Sequence, residues 1–273
     1  MQIAERLSLH NQSRPKYTFS ELPPDTQIRN QNPRGIATSI DNRKTVIKWE
    51  RTANGQVPDI LKREEFFSIL GRTLCLPVIE IWRIKLQIKC DQAETDDLIQ
   101  TEAIAMPFAD SRDLGSIDSS QRGYILKSQT PTSLANLLVF SHWIGDDDRG
   151  IQDVVLFDNI VTYIDLGMCG PPHPSMNSPL RSTHPGHLAY NKTAIWQKCN
   201  PHKQSLVSQI LSYCPQTFDV NSPPAINKIE LLANDDIHTI AKFSEIEPYI
   251  ADELILRKKT LHDEYLEWLK NKP

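Results

Sequence analysis

Short runs of alternating apolar and polar residues fill much of the first hundred positions and predict β-strands. Two of these runs, IATSI and TVIKWE, flank the turn-forming residues Asp41, Asn42 and Arg43. Such residues between β-branched flanks are typical of a hairpin. Similar runs at 78–90 and 99–108 predict further strands. Farther along, VVLF and IVTYID meet across Asp158-Asn159, which predicts a second tight hairpin.

Apolar residues spaced three and four positions apart predict helices elsewhere. The first helix, at 60–74, follows Asp59, a typical N-cap residue, and Pro77 follows its end. Others are expected at 131–144, 203–214, 225–233, 235–243 and 247–270. Residues 1–27 are polar and hold three prolines, so we expect an irregular arm there. The pattern predicts an α+β protein, β-rich at first and then mostly helical.

Composition narrows the classes of protein that fit this pattern. A chain of 273 residues with 39% hydrophobic content can bury the core of one large domain or of two lobes with a cleft. The net charge of −4 favours neither nucleic acid nor an anionic membrane as partner. No apolar run approaches the roughly 20 residues of a membrane span, and the N-terminus lacks a signal-peptide core. We therefore expect a soluble, cytoplasmic protein without membrane association.

The five cysteines are widely spaced, and none lies in a C-x-x-C pair. This spacing predicts neither a zinc site nor a disulfide framework.

Carboxylates concentrate between positions 143 and 170, where Asp146, Asp147 and Asp148 stand side by side and Asp153 and Asp165 flank the second hairpin. A divalent cation bridging to phosphates would neutralise such a set. Asp165 ends the apolar run IVTYI, and an unpaired carboxylate at the end of a buried strand is costly. The hairpin can fold back so that the carboxylates at its two ends meet.

The positive charge that phosphates require has a candidate in Lys48, which lies inside the strand VIKW and can point into a cleft. Glu64 and Glu65 open the helix that follows and can pair with it. Taken singly, each has a simpler interpretation: a solvent-facing strand lysine, first-turn acids that complement the helix dipole, or a polar turn at 146–148. The order and spacing of all of them together favour a functional site.

That order resembles the HipA-like kinase branch of the protein-kinase-like fold. VIKW resembles the strand of the phosphate-binding lysine, and EEFFSILGRTLCLPV resembles the helix that carries its glutamate partner. LLVFSHWIGDDDRGIQD is similar to the helix and catalytic loop of the family, and IVTYIDLG is similar to its metal-binding I-D-H-G. The resemblance covers roughly residues 30–170.

The resemblance implies a bilobal fold, with an N-terminal arm at 1–27, an N-lobe at 28–108 and a C-lobe at 109–273. It also implies ATP and Mg²⁺ as cofactors, and a protein or a small molecule as phosphoacceptor. The implied catalytic residues are Lys48 on the phosphates, Glu64 as its partner with Glu65 as rival, and Asp148 beside Arg149 at the acceptor hydroxyl. Asp153 and Asp165 would bind the metal, while Gly35, Met106 and Phe108 would contact the nucleotide.

The chain departs from the family pattern at two places. Asp153 stands where the family has asparagine, and the nucleotide-loop candidate NQNPRGIATS holds one glycine. Three functions stay open: a kinase for protein serine or threonine, a pseudokinase that binds nucleotide or protein, and a kinase for a small molecule or lipid head group. The loop with His173, His184 and His187 directly follows Asp165, and we expect an activation or substrate loop instead of a metal site.

Overall fold

The structure is a computed structural model of the chain, and it describes residues 2–16, 34–49, 59–89, 98–108, 113–145, 150–170, 206–214 and 217–270. No helix within these ranges is both long and apolar enough to cross a membrane. The three histidines of the loop after Asp165 lie outside the described residues.

A four-stranded antiparallel sheet occupies the first part of the chain, in the order β1-β2-β4-β3. Its strands are β1 (Arg34–Thr38), β2 (Lys44–Trp49), β3 (Trp82–Lys89) and β4 (Leu98–Pro107). The hairpin expected around Asp41–Arg43 is confirmed, with Asn42 at a φ of 61° in its turn. The strands expected at 78–90 and 99–108 are confirmed as β3 and β4.

The two faces of this sheet bury different side chains. Ile47 and Trp49 of β2 pack with Ala103 and Ala105 of β4 on one face. Because side chains alternate along a strand, Val46 and Lys48 point to the other face. There the register places Val46 opposite Met106 and Lys48 opposite Ile104. Lys48 therefore lies on the face of the sheet that packs toward the following helix, at Asp59–Thr73.

Helix α2 (Asp59–Thr73) packs on this second face and confirms the helix expected at 60–74. Its residues from 63 to 71 are all buried, including three consecutive charged ones. After the helix, Val78 forms a parallel bridge with Tyr163, and the amide of Ile79 donates to the carbonyl of Tyr163 at 3.0 Å. This bridge ties the N-terminal part to the second hairpin.

The second hairpin consists of β5 (Val154–Phe157) and β6 (Ile160–Tyr163) and confirms the expectation from VVLF and IVTYI. Asp158 and Asn159 have φ values of 48° and 64°, as a two-residue turn of this kind requires. Single 3₁₀ turns at Ile151–Asp153 and Leu166–Met168 flank the hairpin. Asp153 therefore ends the turn before the hairpin, and Asp165 directly precedes the turn after it.

The later part of the chain is mostly helical, as expected. Its helices are α3 (Ser119–Ser128), α4 (Pro131–Trp143), α5 (Leu206–Tyr213), α6 (Thr217–Leu231), α7 (Asn234–Phe243), α8 (Pro248–Lys258) and α9 (Leu261–Lys270). Helix α4 is mostly apolar, and its residues from 134 to 143 are all buried. It therefore forms the centre of the main hydrophobic core, which α2, the second hairpin and the later helices surround.

Four sequence-based expectations about helices were wrong. The arm holds helix α1 (Ile3–Gln12), which buries Leu7 and His10. Helix α3 was missed, although Asp118 caps it by accepting from the amides of Ser120 and Gln121. Helix α6 begins eight residues earlier than expected, and the long helix at 247–270 is divided into α8 and α9. The arm was misjudged because a helix with few apolar residues needs a tertiary partner to be stable.

Candidate functional site

Three charged side chains from separate elements meet where the sheet faces α2. The ammonium Nζ of Lys48 donates to both carboxylate oxygens of Glu64, at 3.1 and 3.3 Å, and to Oδ1 of Asp165 at 2.9 Å. Glu64 is almost completely buried, while about half of the Asp165 side chain is exposed. The site thus has a closed side, formed by Glu64, and an open side, formed by Asp165.

These neighbours determine the charge state of Lys48. Burial by itself would lower the pKa of this lysine, because a buried ammonium loses hydration. The carboxylates of Glu64 and Asp165 outweigh that effect and raise the pKa of Lys48 above its usual value. Lys48 is therefore protonated at neutral pH, and its ammonium is held next to the exposed carboxylate of Asp165.

Asp165 has an unusual backbone, with φ and ψ of 61° and 54° in the left-handed region. Aspartate tolerates this conformation better than most residues, yet it still costs on the order of 1 kcal/mol. Gly167, two residues later, lies against α2: a Cβ atom there would collide with Ile60 and lie 3.1 Å from Cγ of Glu64. The segment after β6 therefore turns sharply and approaches the helix that carries Glu64.

Asp153 lies at the other end of the second hairpin and is buried. Its carboxylate accepts a hydrogen bond of 2.5 Å from the amide of Gly150, and its carbonyl accepts one of 2.9 Å from the amide of Ile164. The second bond joins Asp153 to the residue directly before Asp165. The backbone at the two ends of the hairpin is thus joined, whereas a meeting of the Asp153 and Asp165 carboxylates stays a prediction.

The proposed catalytic Asp148 lies outside the described residues, as do Asp146, Asp147 and Arg149. Both flanks of that segment are described. On one side, the amide of Gly145 donates to the carbonyl of His142 at the end of α4. On the other, Gly150 is held by Asp153. Within the described ranges, no group of three or more Asp, Glu, His or Cys side chains is placed to hold a metal ion.

The residues expected to contact a nucleotide lie in the sheet. Met106 is buried, opposite Val46. The amide of Phe108, just past β4, donates to the carbonyl of Lys44 at 3.0 Å, so this N–H group is engaged within the sheet. Gly35 lies inside β1, opposite Ile47. The turn between β1 and β2, at 39–43, contains no glycine.

Sequence reasoning missed the apolar side of the site. Val46 of β2, Phe157 at the end of β5 and Ile164 after β6 are partly buried and pack on the same cluster as Met106. Ile164 directly precedes Asp165, and Val46 lies two positions before Lys48 on the same face. Partly exposed apolar side chains beside a fixed cation are typical of a small-molecule site. The alternation along β2 identifies Val46, but no local pattern links it to Phe157.

Two further charged residues of α2 are buried beside Glu64. No sequence pattern singled out Arg63, and Glu65 was left open as the alternative partner of Lys48. Arg63 donates to the carbonyl of Cys169 at 2.8 Å and to the hydroxyl of Tyr249 at 3.2 Å. Glu65, the rival partner for Lys48, pairs with Arg83 at 2.7 Å instead. The structure therefore places Glu64 at the lysine and directs its two neighbours elsewhere.

Together, an N-terminal antiparallel sheet with its helix and a mostly helical later part define a protein-kinase-like fold. The solved structure of the proinflammatory kinase CtkA from Helicobacter pylori is similar to 93% of this chain and 95% of its own, with a TM-score of 0.51 and 12% identity. At that identity the likeness shows the fold alone.

Two more solved kinases have lower similarity. The Rio2 kinase from Chaetomium thermophilum, in a complex with ADP, Mg²⁺ and phosphoaspartate, has a TM-score of 0.44 and 13% identity over 94% of this chain and 75% of its own. The MAP kinase LmaMPK10 from Leishmania major has a TM-score of 0.32 and 12% identity over 97% and 87%. No protein-family model matches the sequence, and no curated protein matches it.

Proposed function

We propose that this protein is an ATP- and Mg²⁺-dependent kinase of the HipA-like branch, which transfers the γ-phosphoryl group to a serine or threonine hydroxyl of a protein. Residues 28–108 and 109–273 would form the two lobes of one kinase domain. The observation that carries the proposal is the contact of Lys48 with Glu64 and Asp165. A partly buried lysine, oriented by one carboxylate and next to a second, exposed one, is what phosphoryl transfer requires of the phosphate site.

The apolar lining fits the base of a nucleotide. Val46, Phe157 and Ile164 offer partly exposed apolar surface between the sheet and the second hairpin. A flat aromatic base that enters there buries this surface, and its phosphates then extend along the cleft toward Lys48. Met106 supports the lining from behind. Because the Phe108 amide donates to Lys44, we propose that base recognition depends on apolar contact and on the residues that follow β4.

The carboxylates fit Mg²⁺, a hard cation that binds one or two carboxylates together with substrate phosphates. Bound there, the metal would neutralise charge on the phosphates. Asp165 is the exposed candidate ligand, and Asp153 is the second. Asp148 would accept the proton of the attacking hydroxyl. The new bond joins the acceptor oxygen to the γ-phosphorus, the bond to the β,γ-bridging oxygen breaks, and ADP leaves.

The test is an assay with labelled ATP and Mg²⁺, using the protein itself and cell lysate as acceptors. Asp165→Asn removes the exposed carboxylate, and we expect transfer to fall by at least about a hundredfold, as for loss of one electrostatic group in a transition state. Asp158→Asn is the matched control, since Asp158 also has a positive φ and is exposed on the same hairpin. Equal transfer by wild type and Asp165→Asn would contradict the proposal.

A second candidate function is a pseudokinase that binds nucleotide or protein without transfer. It is favoured by the carboxylate of Asp153, which replaces the asparagine of the HipA-like pattern and accepts from Gly150, and by the glycine-free turn between β1 and β2. Thermal denaturation separates the two functions. A rise in Tm with ATP and Mg²⁺ but without phosphoryl transfer supports a nucleotide-binding pseudokinase, whereas transfer that depends on Asp165 excludes it.

A further inference from the structure

Glu65 carries a charge that the proposed phosphate site does not use, although it is completely buried on the same helix as Glu64. Consecutive residues of an α-helix point about 100° apart, so Glu64 and Glu65 face different surroundings. A buried carboxylate is costly unless it is paired and hydrogen-bonded. The partners of Glu65 therefore identify the residues that fix the face of α2 pointing away from Lys48.

Arg83 is the principal partner. Its amide donates to Oε1 of Glu65 at 3.0 Å, and its Nε donates to Oε2 at 2.7 Å, so both oxygens are bound by one residue at the start of β3. His10 of α1 approaches Oε1 to 3.8 Å, within ion-pair range. Burial alone would raise the pKa of Glu65, but His10 and Arg83 outweigh it and lower the pKa, which keeps the carboxylate ionised.

The guanidinium of Arg83 also binds residues that lie far away in the sequence. It contacts Glu245 at 3.1 Å and the carbonyl of Phe243 at 3.4 Å, both at the end of α7. The Phe243 ring in turn meets the His10 ring edge-on, with centroids 6.0 Å apart. We call Glu65, Arg83, His10 and Glu245 the Glu65 cluster. It joins α1, α2, β3 and the turn after α7 at one point.

We propose that Glu65 is a positioning residue, which the Glu65 cluster uses to fix the rotation of α2 and so to hold Glu64 against Lys48. The proposal rests on the proposed function for its importance, but its geometry is independent of nucleotide. A rotation of α2 that moves Glu64 away from Lys48 also breaks the two-oxygen contact between Glu65 and Arg83. Anchoring one residue therefore restrains the other, because both belong to one rigid helix.

The experiment measures the reactivity of Lys48 without any nucleotide. The folded protein is labelled with a trace of acetic anhydride, and acetylation of Lys48 is measured by peptide mass spectrometry relative to Lys44, which is exposed on the same strand. In wild type the contacts with Glu64 and Asp165 hold the Lys48 ammonium in place and shield it from the reagent. Glu64→Gln weakens the first of these contacts and marks the labelling level expected when the partner is lost.

We expect Glu65→Gln and Arg83→Lys to increase Lys48 acetylation from the wild-type level to that of Glu64→Gln. Lysine keeps the charge at position 83 but cannot reproduce the planar contact of arginine, so this variant decides the matter if Glu65→Gln does not fold. Glu80→Gln is the matched control: Glu80 also contacts His10, at 3.5 Å, but is not part of α2. It should leave the acetylation at the wild-type level.

The proposal is overturned if folded Glu65→Gln or Arg83→Lys acetylates Lys48 as slowly as wild type. It is also overturned if Glu80→Gln increases acetylation equally, since the effect would then reflect general loosening near His10. Because no nucleotide is present, the proposed function can fail while this inference holds. In that case Glu65→Gln still increases labelling, although wild type neither binds nor uses ATP.

Discussion

At the scale of single residues, the unusual feature is a run of three buried charges on one helix. Arg63, Glu64 and Glu65 are each less than 5% exposed, although charged residues of a helix usually face solvent. Each has a different partner. Arg63 contacts the segment after Asp165, Glu64 contacts Lys48, and Glu65 contacts Arg83. Removing one partner of such a buried pair typically costs about 3–5 kcal/mol. The charges therefore act as specific attachments of α2 to three neighbouring segments.

His10 gives this arrangement a pH dependence. Burial would lower its pKa, but Glu65 on α2 and Glu80 after α2 outweigh burial and raise it above 6.5. Protonated His10 thus stabilises the fold fully below about pH 6.5, and this stabilisation is lost as the pH rises through the raised value. We expect the free energy of unfolding in urea to decrease between pH 6 and pH 8.5, and to decrease less in His10→Gln.

The carboxylates near His10 act in the opposite direction. The pKa of Glu65 and that of Glu80 are both lowered, so their contribution is complete above about pH 4.5 and is lost at lower pH. The pH range between 6 and 8.5 therefore separates the contribution of His10 from that of these two carboxylates. An equal decrease in wild type and His10→Gln would contradict the assignment of this pH dependence to His10.

At the scale of elements, the site depends on a close approach between α2 and the 3₁₀ turn at Leu166–Met168. Gly167 makes the approach possible, because any side chain there meets Ile60 and Glu64 of α2. The same turn is attached to α2 at its far end, where Arg63 donates to the carbonyl of Cys169. The distance between Glu64 and Asp165, and so the environment of Lys48, is set by this packing.

Gly167→Ala tests the close approach. We expect the added methyl to force α2 and the turn apart and to lower the free energy of unfolding by about 1–3 kcal/mol, as for overpacking elsewhere. The control is the double variant Ile60→Ala with Gly167→Ala, which removes the colliding Cγ2 atom. In urea denaturation the double variant should lose less than the sum of the two single changes. Strict additivity would show that the two residues do not collide.

At the scale of the whole molecule, the last two helices support the end of α4, which directly precedes the carboxylate segment at 146–148. His142 on α4 contacts Glu264 on α9 at 2.8 Å, and both residues are buried. Arg257 on α8 donates to the carbonyl of His142 at 3.2 Å, and the indole of Trp143 donates to the carbonyl of Leu254 at 3.0 Å. Residues more than a hundred positions apart thus hold the helix from which the proposed catalytic segment leaves.

Glu264→Ala removes one of these supports and leaves His142 without its carboxylate. We expect the free energy of unfolding to fall by about 3–5 kcal/mol, as for a broken buried pair. Asp263→Ala is the matched control, because Asp263 is exposed beside it on the same helix and should change stability by less than about 0.5 kcal/mol. Similar losses in the two variants, measured by urea denaturation, would refute the expected role of the contact.

Local patterns determined the order of the elements and the positions of the main candidates. The alternation of apolar and polar residues placed Lys48 on one face of β2. The Asp158-Asn159 pair predicted the turn of the second hairpin, and the apolar run before Asp165 placed its carboxylate at the end of a strand. These features follow from the sequence because strand and turn preferences depend on neighbouring residues. The same reasoning failed for α1, whose few apolar residues form a helix only against distant partners.

The tertiary structure alone decided which side chains meet. It placed Glu64 and not Glu65 at Lys48, engaged the amide of Phe108 with Lys44, and brought Phe157 to the apolar surface beside Val46. The sequence identified both glutamates as candidates, because local sequence patterns do not distinguish two adjacent helix residues of the same type. Their choice of partner depends on the rotation of α2, and that rotation is set by contacts with β3, the segment after β6 and α1, which no local pattern encodes.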